Sequence, residues 1–230
     1  MKDRKGIAQS IGKCKLFEGL APEDLEKISP LFEPITLRNG EYVFMEGDPS
    51  DWLYIVTDKR VKIIKHTQSG KEVLLEIKSP GDMFCCAAVL DNRPYPETAQ
   101  AKGPAAILRV SRKNFLGIVS AYPFLKAGIA GYLNDKLIDA YEMLKNLSSE
   151  IAERRIATVL LKLSEKAGSD GKEYRTIDFS FTRQEIADMV GTTLETSIRT
   201  MSKFEKLGLI KSTRKNIRIK QGALEKLLSR

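Results

Sequence analysis

The sequence predicts an α+β protein: an antiparallel β-barrel or sandwich, one long helix, and a small helical domain closed by a β-hairpin. Three observations carry this. Residues 35–110 are rich in β-branched and aromatic residues, in short runs separated by turn dipeptides. From about Pro123 the apolar period becomes helical and holds a 3.5-residue spacing. After Glu150 the pattern reads helix, strand, helix, tight turn, helix, hairpin, on a basic background. The domains are therefore expected at 1–122, 123–150 and 151–230.

In chain order, "APEDLEKISPLF" places Pro22 and acidic residues at a helix start, followed by apolar residues at helical spacing. Turns are expected at Asn39-Gly40, Gly47-Asp48, Ser69-Gly70 and Pro80-Gly81. "VKIIKHTQSGKEVLLEI" reads as a hairpin with Gln68-Ser69-Gly70 at its tip. Ala130, Leu133, Leu137, Ala140, Leu144, Leu147 and Ile151 then step by three and four in alternation, an a/d seam suited to a parallel helix pair. Leu133, Leu137, Ala140, Leu144 and Leu147 are the expected homodimer contacts.

The third domain opens with "RRIATVLLKLSEKAG", an amphipathic helix stopped at Gly168, and "YRTIDFSF" alternates as a strand. Thr182 and Glu185 fit a capping box for a short helix ending at Gly191. Thr192 or Thr193 caps a second helix running to about Leu207, with Gly208 beyond it. "LIKST" and "NIRIK" form a two-stranded wing around Arg214-Lys215. This order is that of a winged helix-turn-helix.

Charge agrees with that assignment. The chain from Glu150 holds 17 Lys/Arg against 11 Asp/Glu, whereas the first 149 residues hold 21 against 19. A basic module on a nearly neutral body is the electrostatic footprint of nucleic-acid binding. On the second helix of the motif, Glu195 and Arg199 are four apart and share a face. A carboxylate can accept from cytosine N4 and a guanidinium can donate twice to guanine, and the two can also hold each other's rotamers. Thr193 and Thr196 belong to the same N-terminal segment, while Thr182, Arg183, Gln184, Lys203 and Lys215 suit phosphate contacts.

Composition narrows the class further. Three cysteines, an odd number, argue against a disulfide framework and fit a reducing cytoplasm. No apolar run is long enough to span a bilayer and the N-terminus lacks an apolar h-region, so a cytoplasmic protein with no membrane partner is expected. One histidine leaves no basis for a metal-dependent cupin or a Ser/His/Asp hydrolase, and no enzymatic activity is expected. The alternative is a ligand-binding or cupin-like barrel without a DNA role. It explains the barrel but leaves the basic winged domain without a purpose.

The motifs "PGDMF", "LDNRP", "TRQEIA" and "ETSIR", in that order, resemble the CRP/FNR family of bacterial transcription regulators over nearly the whole chain. The resemblance implies a cyclic-nucleotide-binding-like jelly roll, a homodimer on a palindromic promoter site, contact with RNA polymerase, and an effector in the β-domain. Glu195 and Arg199 match the family's base-reading pair, and Ile198 replaces the small residue that usually precedes that arginine. Cyclic-nucleotide-binding members carry Gly-Glu after the Phe and Arg-Ser or Arg-Thr after the next loop. Here Cys85 and Cys86 follow Phe84, Tyr95 and Pro96 stand where Arg-Ser belongs, and Ala140 and Tyr141 stand where hydroxyls meet the base. A buried phosphate without its arginine is an uncompensated charge, so cyclic AMP is not expected.

By the same resemblance the effector region comprises Phe84, Cys85, Cys86, Tyr95, Pro96, Lys136, Ala140 and Tyr141. Three cysteines cannot supply the four ligands of an iron–sulfur cluster, and none is expected. "GDMFC" resembles the haem-ligating segment of the family's carbon monoxide sensor, with Cys85 on its thiolate ligand, and "PYPETAQA" is similar to the nitrosative-stress branch. A small apolar or aromatic organic effector, haem, thiol redox chemistry and no effector at all stay open at this point.

Overall fold

The structure is a computed structural model that describes residues 4–67, 70, 72–149, 151–169, 173–177, 179, 181–213 and 216–228; the side chains at 143, 145–149 and 166–169 lie outside that description. The chain divides into two compact units, Met1–Leu137 and Ile138–Arg230.

The first unit begins with α1 (Arg4–Gly12), a 3-10 turn at Lys15–Phe17, and α2 (Pro22–Ile28). α2 starts as expected, with Pro22 at its first position, Glu23 and Asp24 in its first turn and Lys27 in its last, each complementing the helix dipole. The strands are β1 (Phe32–Leu37), β2 (Tyr42–Phe44), β3 (Trp52–His66), β4 (Glu72–Lys78), β5 (Met83–Phe84) and β6 (Thr98–Ser111). They form one six-stranded antiparallel sheet with the path β1-β6-β3-β4, β2 joining β6 and β5 joining β3. Gly40, Gly47, Gly70 and Gly81 all take positive φ at the expected turns. Of the expected β3–β4 tip, Gln68 and Ser69 lie outside the described residues, and His66 pairs with Glu72 below it.

Two strands are longer than the sequence suggests: β3 has 15 residues and β6 has 14. Asp58-Lys59-Arg60 looks like a turn, but the chain absorbs it as a bulge. The register slips between Val56 and Arg60, and Lys59 sits at φ 59°. Inward residues of β3 and β6, including Leu53, Ile55, Val61, Ile63, Ala99, Ile107 and Val110, build the core with Phe17, Phe32 and Phe115. α3 (Cys86–Asp91) and α4 (Arg112–Ala121) flank β6, α4 capped by Ser111, whose side chain accepts from the Asn114 N–H.

α5 (Leu125–Ser149) runs without a break past the division between the units. In the first unit it is anchored by buried Leu125 and Ile129. The expected seam residues Ala130, Leu133, Leu137, Ala140 and Leu144 are all exposed, Leu137 at 49% and Leu144 at 62%. The helix that carries the expected seam residues does not reach Ile151: α5 is described to Ser149 and α6 (Ala152–Ala167) begins after Ile151. The side chain of Leu147 lies outside the described residues.

In the second unit α6 is followed by β7 (Gly168–Ser169) and β8 (Arg175–Ile177), then α7 (Arg183–Val190) and α8 (Leu194–Lys206). β9 (Ile210–Ser212) and β10 (Ile217–Ile219) form the hairpin. The wing is not two-stranded: β10 also pairs with β8, giving a sheet in the order β7-β8-β10-β9. Ile177, Ile210, Ile217 and Ile219 are buried where this sheet meets α6 and α8, as are Ile156 and Leu160 of α6 and Met201 and Phe204 of α8. α9 (Gln221–Leu228), a helix the sequence reading did not anticipate, buries Leu224 and packs on α6.

Candidate nucleic-acid interface and effector region

The helix-turn-helix is locked by its caps. Thr182 Oγ1 accepts from the Glu185 N–H at 3.0 Å while Glu185 Oε2 accepts from the Thr182 N–H at 2.8 Å, a complete capping box. Gly191 adopts φ 64°, the left-handed conformation that turns α7 into α8. Arg155 of α6 clamps this turn, its Nε donating to the Val190 carbonyl at 2.9 Å and a terminal nitrogen to the Gly191 carbonyl at 3.2 Å. Thr193 caps α8: its Oγ1 accepts from the Thr196 N–H at 3.2 Å and lies 2.9 Å from Thr196 Oγ1.

α8 divides into two faces. Ser197, Thr200, Met201 and Phe204 are buried against the unit, whereas Leu194, Glu195, Ile198 and Arg199 are exposed. Glu195 and Arg199 share the outward face, but no ion pair joins them among the described residues, so each keeps its polar groups available. This corrects the expected mutual pairing: both long side chains reach solvent, where an isolated i,i+4 pair is worth only a few tenths of a kcal/mol.

The expected phosphate contacts are mostly engaged within the protein. Lys203 Nζ lies 2.7 Å from Glu153 Oε2, Arg183 pairs with Glu205 at 3.2 Å, and Gln184 donates to Asp188 at 2.7 Å. Sequence spacing gives no hint of Lys203–Glu153 or Arg183–Glu205, which span 50 and 22 residues. Lys215 lies outside the described residues.

In the first unit, Phe84, Cys85, Cys86 and Tyr95 belong to the packed core. Phe44 stacks on Tyr95 with centroids 3.9 Å apart, and Tyr54 on Phe84 at 5.1 Å. The Tyr95 hydroxyl donates to the Trp52 carbonyl at 2.7 Å and accepts from its N–H at 3.1 Å, pinning the start of β3. Cys85 takes φ 68°, the left-handed conformation, just before α3. Cys85 thus bears a thiol on a glycine-like backbone. Pro96 is exposed, and its carbonyl accepts from Lys65 at 2.9 Å.

Beside Cys85 lies a charged cluster the sequence did not disclose. Lys78, only 3% exposed, places Nζ 3.0 Å from Glu76 Oε2, which also takes Lys136 of α5. Lys78 and Ile77 are both buried at the end of β4, so strict strand alternation could not have revealed Lys78. Burial raises the Glu97 carboxyl above its ordinary value, against the lowering influence of Lys78. Ala140 and Tyr141 are exposed and belong to the second unit. Arg109, the next arginine after Arg93, is committed elsewhere: it bonds Glu33 at 2.8 Å and stacks on Trp52 at 3.9 Å.

Burial, the dominant cause, holds the Cys85 thiol well above its ordinary value. His66, the single histidine, sits on the β3–β4 hairpin beside Glu72.

Residues 34–122 match the family model described as "Cyclic nucleotide-binding domain", and residues 154–227 match "Crp-like helix-turn-helix domain". The chain is 26% identical to the "CRP-like cAMP-activated global transcriptional regulator" of Mycobacterium tuberculosis, over 91% of this chain and 93% of that protein. It is 27% identical to the "Cyclic AMP receptor protein" of Thermus thermophilus, over 91% and 94%. The fold is shared with the structure of FixK2 from Bradyrhizobium japonicum, at a TM-score of 0.76 and 21% identity over 85% of this chain and 96% of that one.

Proposed function

The chain belongs to the CRP/FNR family of transcription regulators, and we propose that it acts as a cytoplasmic homodimer that reads an inverted-repeat DNA site through Glu195 and Arg199. The observation that carries this reading is α8 itself: a capped helix at the second position of a helix-turn-helix, with both reading side chains exposed and unpaired with each other among the described residues. In the major groove Glu195 accepts from a cytosine amino group and Arg199 donates to a guanine edge. Exposed Leu133, Leu137 and Leu144 support α5 as the dimer seam, with Ala130 and Ala140 allowing close approach. A two-fold dimer presents α8 twice, about one helical turn of DNA apart. Contact with RNA polymerase follows from the same role.

We further propose that the β-domain responds to a small apolar or aromatic organic molecule and not to cyclic AMP. Tyr95 and Pro96 stand where the phosphate-holding Arg-Ser belongs, and Arg109 is taken by Glu33 and Trp52. A phosphate there would lack the two-pronged grip of an arginine, and the nearby lysines are engaged, Lys78 with Glu76 and Lys65 with the Pro96 carbonyl. The relatives named for cyclic AMP therefore share the scaffold, while this chain's residues support a different ligand. Selection of binding sites from random duplex DNA tests the reading role; enrichment of an inverted repeat supports it, and no enrichment contradicts it.

A further inference from the structure

α8 presents two different chemistries side by side. Glu195 and Arg199 make a polar stripe, and about 100° around the helix axis Leu194 and Ile198 make an apolar one. The two apolar side chains are 43% and 46% exposed and stand four residues apart, so they form a continuous strip along the N-terminal half of the helix. Neither is needed to hold the helix in place, because Ser197, Thr200, Met201 and Phe204 supply its buried face. A β-branched residue also gives up helix propensity at such a position. The strip thus leaves apolar surface in water on the face offered to DNA.

A base pair presents one apolar group in the major groove, the C5-methyl of thymine. An isoleucine or leucine laid over a cytosine amino group or a guanine edge removes water from those polar atoms without replacing their hydrogen bonds. Laid over thymine, the same side chain buries methyl against methyl. We propose that Leu194 and Ile198 are specificity-determining residues that contact thymine methyl groups in each half-site, beside the base pairs faced by Glu195 and Arg199. The inference rests on the assignment of α8 as the DNA-reading helix.

Deoxyuridine isolates the contact, since it differs from thymidine only by that methyl. A site selected by the wild-type protein is resynthesised with uracil replacing thymine at one symmetric pair of positions at a time. The wild type loses affinity by about fourfold for each methyl removed at one or two positions per half-site, and is indifferent elsewhere. Ile198→Ser abolishes the sensitivity at one of those positions, and Leu194→Ala at another. Both residues are on the surface, so thermal unfolding of the variants stays close to wild type. A wild type that binds the uracil and thymine sites equally at every position overturns the inference, as does sensitivity that persists unchanged in both variants. A protein that selects no site contradicts the reading role of α8 itself, and this inference falls with it.

Discussion

Lys203 Nζ lies 2.7 Å from Glu153 Oε2 and 2.9 Å from Oε1, tying the last turn of α8 to α6. Both partners keep access to solvent, and such a pair is worth at most about 1 kcal/mol. A DNA phosphate can therefore displace Glu153 at small cost. Lys203→Ala is expected to weaken cognate and scrambled DNA about equally and to reduce the slope of log K against log salt by about 0.9 per protomer contact. Glu153→Gln, which releases the lysine, raises affinity several-fold on both DNAs. Titration by fluorescence anisotropy at several salt concentrations reads both effects. A loss confined to cognate DNA in Lys203→Ala would mean that the lysine reads bases.

The proposed dimer seam makes a separate prediction. Leu137 and Leu144 are exposed on α5, so replacing both by Lys leaves the packing of each unit intact while placing like charges against each other across the seam. Sedimentation is expected to show monomers, with DNA binding greatly weakened. Dimers that survive the double change would remove α5 as the interface.

Cyclic AMP and cyclic GMP are expected to give no heat of binding at micromolar concentrations and no gain in DNA affinity. The reason is that Tyr95 and Pro96 supply no arginine, together with the commitment of Arg109 to Glu33. Micromolar affinity in calorimetry would place a phosphate site elsewhere in the β-domain and overturn the assignment of the effector class.

The buried thiols predict a loss of stability at high pH. Burial raises Cys14 to about 11 and Cys86 to about 12, whereas an unfolded thiol titrates near 8.5. The folded chain thus holds protons that the unfolded chain releases. Their contribution is complete below about pH 8.5 and is lost as the pH rises through 11 and 12. Denaturant midpoints are expected to be flat from pH 6 to 8 and to fall above 9, and to fall less steeply in a Cys14→Ala/Cys86→Ala variant. Parallel curves for the two proteins would show that these thiols do not contribute.

What the sequence made legible was whatever depends on near neighbours. The Thr182–Glu185 box, the Thr193 cap, the turn at Gly191 and the proline start of α2 each rest on residues within a few positions of one another, and each appears as read. Long-range pairings were not legible. Nothing local tells that Tyr95 pins Trp52, that Lys78 turns inward to Glu76, or that β8 joins the wing sheet. The length of β3 was missed for a different reason: Asp58-Lys59-Arg60 has turn chemistry, and only pairing with β6 on both sides makes it a bulge. The reading face of α8 lies between these cases. Its periodicity is local, but the absence of a Glu195–Arg199 pair among the described residues is a property of the fold.

The central claim is that Glu195 and Arg199 read bases, and comparative affinity tests it most directly. Wild type, Glu195→Ala and Arg199→Ala are titrated against the selected site and against a scrambled duplex of the same composition, at several salt concentrations. Each variant is predicted to lose about 1–3 kcal/mol on the selected site and little on the scrambled one, with preference relaxed at one base pair per half-site. Equal losses of free energy on both duplexes would contradict the account, because the residue would then position the protein on DNA without reading it.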